Sequence, residues 1–337
     1  MTAYFRPIVQ VDTARPAHAL TLAGGRGWFT DIEILSRSAV PVTVSAADLD
    51  PADISSLIEP RADIAGIKMH RPRIMGILNI TPDSFSDGGK HNSEEAAVSG
   101  ALKMRTADVL DVGGESTRPG AAFISADQEI ERTVPVIKAL RAAGINQTIS
   151  IDTRKSAVAA AALEAGANLV NDVSGFTFDK DLAPLCAAQS IPVCVMHAQG
   201  DPATMQQDPQ YEDVVLDVFD FLKKQIASLV AQGIPKARII ADPGIGFGKT
   251  LDHNLALLAR LSLFHGLGVP ILLGASRKKF IGTIGKAEAA QDRMPGSLSI
   301  ALAALKHGTQ FVRVHDVPET AQAIALWRAA MAGCADG

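Results

Sequence analysis

The chain is predicted to fold as an α/β protein, a (β/α)8 TIM barrel preceded by an N-terminal extension, and three observations predict it. From Ile74 onward, eight short apolar runs alternate with longer Ala- and Leu-rich stretches, the rhythm of parallel strands joined by helices. These units occupy roughly 240 residues, close to the length of about 250 that such a barrel takes. Nearly every run also stops at a polar residue, as expected of a barrel that builds a site on the C-terminal ends of its strands. An open doubly wound sheet is the alternative architecture.

The strands are expected at Ile74 to Asn79, Val109 to Val112, Thr148 to Asp152, Leu169 to Asp172, Val193 to Met196, Ile239 to Asp242, Ile271 to Gly274 and Phe311 to Val314. Helices are expected over Lys155 to Ala165, Tyr211 to Ala231, Asp252 to Leu261 and Ser297 to Lys306. Ser297 reads as an N-cap, Gly144, Gly166, Gly233 and Gly308 read as C-caps, and Asp316 with Pro318 opens the last helix. Residues 1–73 lack this rhythm, with short apolar segments such as Tyr4 to Val11 and Asp31 to Ser36 between Pro- and Asp-containing spacers. They are expected to form an extra layer or small subdomain ahead of a barrel spanning 74–330.

With 337 residues, 47% of them hydrophobic, the chain can bury one large core. A net charge of −4 with no basic stripe argues against a nucleic-acid surface. The three cysteines, Cys186, Cys194 and Cys334, are odd in number and lack metal spacing, which argues against a disulfide framework or zinc site and for a reducing cytoplasm. No segment has the uninterrupted apolar length of a membrane span. Cys194 lies inside an expected strand and reads as a small buried residue rather than a nucleophile.

The strand ends carry the chemistry. The first run, Gly76-Ile77-Leu78, halts at Asn79 and is followed by a loop of turn formers around one aromatic, Phe85. A buried strand normally stays apolar to its turn, so Asn79 needs a partner, a ligand or a metal. The others end in Gly113-Gly114-Glu115, Asp152, Asn171 with Asp172, Met196 with His197, Asp242, Ser276-Arg277-Lys278, and Arg313 with His315. Asp152 taken alone is as readily a cap of the next helix, and His315 a packed histidine. Together, two carboxylates (Asp152, Asp242), an amide (Asn171) and an ammonium (Lys278) suit the donor and acceptor edges of a flat heterocycle. A carboxylate accepts two parallel hydrogen bonds from a guanidine-like edge. Arg313, His315, Asn79 and Thr117 suit a phosphate, to which Mg²⁺ adds an oxygen-liganded charge. Residues 243–250, Pro-Gly-Ile-Gly-Phe-Gly-Lys-Thr, imitate a nucleotide phosphate loop, but Pro243 replaces its first glycine and removes an N–H. Those glycines read instead as a close backbone approach to a flat ligand beside Phe247.

The motifs GILNITPDSFSDGG, GGESTRPG, DTRKS with NDVSG, VMHAQGDPATMQ, DPGIGFGK, SRKKFIG and RVHDV, in this order from about Ile74 to Arg328, resemble those of the dihydropteroate synthase family. The resemblance implies condensation of a dihydropterin methyl pyrophosphate with p-aminobenzoate, small-molecule substrates, Mg²⁺ and a homodimer. It further implies that Asp152, Asn171, Met196, Asp242, Phe247 and Lys278 hold the pterin, with Arg277 as a buttress. Asn79, Thr117, Arg313 and His315 would take the pyrophosphate, with Asn79 as the metal ligand. Pro82, Phe85, Thr117, Arg118 and Pro119 would form the p-aminobenzoate site, with Asp83 and Asp87 as helpers. The catalytic set it implies is Asp152, Asp242, Lys278, Arg313 and His315, acting by a dissociative mechanism. Ala198 stands where a second Met is common and Lys279 where Ser is frequent. A pterin-binding methyl-transfer partner of a corrinoid protein, whose family shares the Asp and Asn strand ends but not these loops, is the alternative reading.

Overall fold

The computed structural model describes residues 3–80, 90–116, 123–200 and 204–335. Residues from Arg73 onward form eight parallel strands separated by helices, in the order β6 to β13 once the five strands of the extension are counted. The extension contains β1 (Tyr4–Pro7), β2 (Leu20–Thr21), β3 (Trp28–Phe29), β4 (Asp31–Leu35) and β5 (Val42–Ser45). Strand β4 lies between β1 and β5 in an antiparallel sheet, and β2 pairs with β3. Helix α1 (Pro51–Ile58) follows, started by Asp50, whose carboxylate accepts the Ala52 N–H at 2.9 Å. Leu22, Phe29, Ile32, Ile54 and Leu57 give this layer its own small core.

The extension is fastened to the barrel by specific polar bonds. Tyr4 donates its hydroxyl to Asp220 at 2.8 Å and meets Phe219 edge-on, Ser262 donates to the Pro7 carbonyl at 2.8 Å, and Arg61 donates to the His265 carbonyl at 2.9 Å. Between the layers, Ile64 and Met69 plug the lower mouth of the barrel, against inward-facing Met75, Val109, Leu169, Cys194, Ile240, Leu272 and Phe311.

The barrel runs β6 (Arg73–Asn79), α2 (Lys90–Lys103), β7 (Val109–Gly113), α3 (Ala126–Ala142), β8 (Thr148–Asp152), α4 (Ser156–Glu164), β9 (Leu169–Asp172), α5 (Leu182–Ala188), β10 (Val193–Met196), α6 (Val214–Ala231), β11 (Ile239–Asp242), α7 (Leu251–Ala259), β12 (Leu272–Leu273), α8 (Lys279–Gly285), α9 (Met294–Lys306), β13 (Phe311–Val314) and α10 (Val317–Ala332). Neighbouring strands pair in parallel from β11 through β6 to β12, and a parallel bridge from Ala241 to Ile271 closes the ring. The barrel expectation holds, and the open sheet does not. The seventh strand is one residue shorter at each end than expected, and Ile271 just before it makes the closing bridge and donates its N–H to the Gln310 side chain. Gly144, Gly166, Gly233 and Gly308 all adopt the positive φ of a helix stop. Ser297 is a correction. It lies inside α9, where its hydroxyl donates to the Arg293 carbonyl and accepts the Arg277 N–H, both at 2.8 Å. Among the described residues, no helix is long and apolar enough to cross a membrane.

Candidate active site

Strand periodicity generates the site. Two residues beyond the apolar plug layer, the same inward face presents Asp111 above Val109, Asn171 above Leu169, Met196 above Cys194, Asp242 above Ile240 and Arg313 above Phe311. A sealed apolar floor therefore carries a polar layer that opens at the C-terminal mouth. Arg313 sits at its centre, donating through Nε to Asp111 Oδ2 at 2.6 Å and through Nη2 to Asp152 Oδ2 at 2.7 Å. Asn171 donates to the same Asp111 oxygen at 3.2 Å. The sequence reading missed Asp111; its signal was an acidic residue inside a four-residue apolar run, two positions after an inward Val. Asp152 does not cap the next helix, whose N-cap is Lys155, and its Oδ2 is held by Arg313.

Electrostatics follow from burial. Removal from water pushes Asp152 up to about 7 against the pull of Arg313, with Asp111 adding like charge, and pushes Asp242 up to about 6 against the Gly244 N–H, Lys278 and Arg313. Arg313 is raised: burial opposes its charge, but Asp111 and Asp152 together outweigh that. Asp242 accepts the Gly244 N–H at 2.7 Å, and Lys278 Nζ lies 3.9 Å from the centre of the Phe247 ring. Met196 is buried beside them, while Lys278 and Phe247 are half-buried at the mouth. A cavity of about 310 Å³ opens alongside, bordered by Arg154, Ser174, Phe178, Ala198, Met205 and Phe247.

Other predicted residues take distinct places. Asn79 ends β6 in register with Gly113, and its Oδ1 would lie 3.5 Å from a Cβ placed on Gly113, on the Asp152 side. His315 follows β13, with Nδ1 at 3.0 Å from the Ser276 hydroxyl. Arg277 makes a bidentate pair with Asp316, the residue that starts α10. Asp172 serves its own turn, accepting from Ser174 and the Phe176 N–H. Pro82, Phe85, Thr117, Arg118 and Pro119, with Asp83 and Asp87, lie outside the described residues.

The phosphate-loop lookalike is explained by packing. Lys249 is 3% exposed and donates to the Phe247 carbonyl at 3.0 Å, while its Nζ lies 2.9 Å from His197 Nδ1. Burial lowers Lys249 to about 7 and holds His197 neutral, well below its usual range. Gly244, at φ +69°, has no room for a side chain, since a Cβ would stand 1.8 Å from the His197 carbonyl oxygen. This lysine therefore staples the loops after β10 and β11 and sets the position of Phe247.

A second buried network supports the loop after β7. Lys155 donates to Glu129 Oε2 at 2.6 Å, to Glu115 Oε2 at 3.2 Å and to the Ile124 carbonyl at 2.9 Å. Glu115 Oε1 accepts the Ile124 N–H at 3.3 Å, and Arg154 donates to Glu115 at 3.3 Å. Glu115 and Ile124 flank residues 117–122, so one ammonium ties both ends of that segment to α3 and α4.

Residues 75–315 match the family of pterin binding enzymes. The dihydropteroate synthase of Escherichia coli (strain K12) is 44% identical over 270 residues, which is 79% of this chain and 94% of that relative. The chain belongs to the dihydropteroate synthase family. Two solved structures of dihydropteroate synthases are similar to it. That from Xanthomonas albilineans with 4-aminobenzoic acid is 43% identical with a TM-score of 0.75, covering 81% of this chain and 98% of its own. That from Yersinia pestis in a sulfonamide drug complex is 44% identical with a TM-score of 0.73, covering 78% and 95%. The part of this dihydropteroate synthase family member before residue 75 lies outside the family match.

Proposed function

We infer that this protein is a dihydropteroate synthase, condensing 6-hydroxymethyl-7,8-dihydropterin pyrophosphate with p-aminobenzoate to give 7,8-dihydropteroate and pyrophosphate in folate biosynthesis. The observation that carries this reading is the buried layer of Asp111, Asp152, Asn171 and Asp242 gathered around Arg313, with Lys278 and Phe247 at its rim. Asp152 and Asp242, both raised by burial, are suited to a guanidine-like ring edge, which donates two parallel hydrogen bonds and returns the charge that burial penalises. Asn171 and Lys278 complement the remaining ring edge, and Met196 and Phe247 cover its faces.

The reaction breaks the bond between the pterin methylene carbon and its bridging oxygen, and the electron pair leaves with pyrophosphate. The arylamine nitrogen then attacks the methylene of the pterin cation and releases a proton. Nothing in this sequence needs a protein nucleophile, and Cys194 is fully buried with its thiol raised by burial. The carboxylates stabilise positive charge developing on the ring, while Arg313 and His315 face the leaving group. The Arg313 Nη1 group donates to no described residue, which leaves it for a phosphate oxygen.

Mg²⁺ suits this site as a companion of pyrophosphate. Among the described residues no cluster of three or more His, Cys, Asp or Glu side chains is placed to hold a metal. An ion that keeps several waters and is carried by phosphates needs only one or two protein oxygens, and the Asn79 amide oxygen at the mouth provides one. When bound there, it would neutralise charge on the departing pyrophosphate. Thr117 is assigned to the pyrophosphate, and Pro82, Phe85, Arg118 and Pro119 to p-aminobenzoate. The working form is assigned as a cytoplasmic homodimer, in keeping with the reduced, buried Cys186 and Cys194.

The test is direct. With the dihydropterin pyrophosphate, p-aminobenzoate and Mg²⁺ supplied, the protein is expected to release dihydropteroate and pyrophosphate in equal amounts; formation of neither product overturns the reading.

A further inference from the structure

A second cavity, of about 210 Å³, lies at the opposite end of the barrel, where the extension meets the N-terminal strand ends. Its walls come from Leu22 and Arg26 of the extension, the Met69–Pro72 segment that leads into β6, the Thr309–Gln310 corner before β13, and Trp327 and Arg328 of α10. Its chemistry is one-sided. Arg26, Arg71 and Arg328 line it and, among the described residues, no carboxylate does, although the protein as a whole carries a net charge of −4. None of the three guanidinium groups is bonded to another described residue.

Two deeply buried polar side chains in the same wall also have unused hydrogen-bonding capacity. Gln310 is 4% exposed, and its Oε1 accepts the Ile271 N–H at 2.8 Å, which leaves its NH2 donating to no described residue. Thr309 is 3% exposed, and its enclosed hydroxyl has no partner among the described residues. Native proteins rarely leave such groups unpaired without a ligand or water to meet them. Leu22, Met69 and the Trp327 ring supply apolar surface beside these donors.

We propose that this cavity binds a small phosphate ester with a flat or apolar body. Three arginines border one space, and guanidinium pairs with phosphate through two parallel hydrogen bonds. The volume is below the range of about 300–1,000 Å³ usual for drug-sized ligands, so the occupant is the size of a single ring with its phosphate. Much of the site is built from residues ahead of the family match, so it belongs to this chain's extension and not to the pterin layer.

Phenyl phosphate is the probe, titrated into the whole protein while Trp327 fluorescence is followed; the other tryptophan, Trp28, does not line the cavity. The expected result is a saturable change with one site per chain. Arg71→Ala and Arg26→Ala, both at exposed positions, should each weaken it about tenfold or more, since a charge-assisted hydrogen bond contributes about 1.5–3 kcal/mol. Lys278→Ala, in the pterin site, should leave the affinity unchanged. Competition by inorganic phosphate and not by benzyl alcohol shows that the phosphate is what is recognised. Absence of saturation, competition by benzyl alcohol alone, or sensitivity to Lys278→Ala with indifference to Arg71→Ala and Arg26→Ala overturns the proposal.

Discussion

Asp111→Asn tests the centre of the pterin layer with the smallest possible change of shape. In the parent, Oδ2 accepts from Arg313 at 2.6 Å and from Asn171 at 3.2 Å, whereas Oδ1 is buried with no partner. An asparagine that keeps its oxygen on Arg313 must bury its NH2 in the unpartnered position, which costs about 1–3 kcal/mol. An asparagine turned the other way sets NH2 against guanidinium, which is worse. In either orientation the half-buried Arg313 loses one of its two anions, and breaking a buried pair typically destabilises by about 3–5 kcal/mol, the ceiling here because Asp152 remains. At about 2.1 cal/mol/K of unfolding entropy per residue over 337 residues, a loss of that size lowers Tm by up to roughly 4–7 °C. Arg313 then leans on Asp152 alone and shifts within the layer, so kcat/KM for the pterin substrate should fall by about 10²-fold or more, the scale of losing one preorganised group. Scanning calorimetry and steady-state kinetics read the two effects. A variant with unchanged Tm and unchanged kcat/KM would show that Asp111 neither anchors Arg313 nor shapes the site.

The remaining predictions address the supports and the titration. Lys155→Met should raise the KM for p-aminobenzoate about tenfold or more with a smaller effect on the pterin, because it releases both ends of residues 117–122; Lys155→Arg should recover part of the loss, and equal damage to both substrates contradicts the assignment. Arg118→Ala should show the same bias towards p-aminobenzoate, and equal loss of both substrates removes that residue from the second-substrate site. Lys249→Met keeps the volume but frees the Phe247 carbonyl, so the dissociation constant of the pterin should rise about tenfold with little change in Tm, and an unchanged constant refutes the stapling role. Asp152 near 7 and Asp242 near 6 are both raised by burial, so in the free protein their contribution to stability is full below about pH 4 and is lost as pH rises through 6 to 7. Pterin binding needs the ionised carboxylates and should run the opposite way, giving a larger ligand-induced Tm increase at pH 8 than at pH 5.5; an increase independent of pH contradicts this titration.

The barrel was legible because a parallel strand covered on both faces is written as a continuous apolar run, and all eight runs became strands within a residue of the expected ends. The strand-end polar groups were legible for the complementary reason, since each interrupts such a run at its open end. Asp111 escaped that rule because it lies mid-strand, where only the alternation from Val109 reveals that it faces inward. Ser297 escaped because it has the composition of a cap, while its hydroxyl serves Arg277 from inside the first turn of α9. The Lys155 and Lys249 supports are pairings across 26 to 52 positions, which no local pattern encodes. The glycines of residues 243–250, which read in the sequence as a close approach to a flat ligand, admit neighbouring carbonyls, those of His197 at Gly244 and Gln199 at Gly248.

Charge balance explains why this site works without a nucleophile. In the polar layer Asp111, Asp152 and Asp242 stand near Arg313, with Lys278 and Lys249 also acting on Asp242, and burial disfavours ionisation of Asp152 and Asp242. A neutral ring offering a guanidine-like edge relieves part of that imbalance on binding, and a ring that becomes cationic relieves more of it. The stabilisation is thus greater for the state that follows departure of pyrophosphate than for the bound substrate, which is the condition for binding energy to lower the barrier rather than only the KM. The rigid parts of that arrangement, the apolar plug beneath it and the Arg313 bridge within it, are fixed before any substrate arrives, so little reorganisation is left to the moment of reaction.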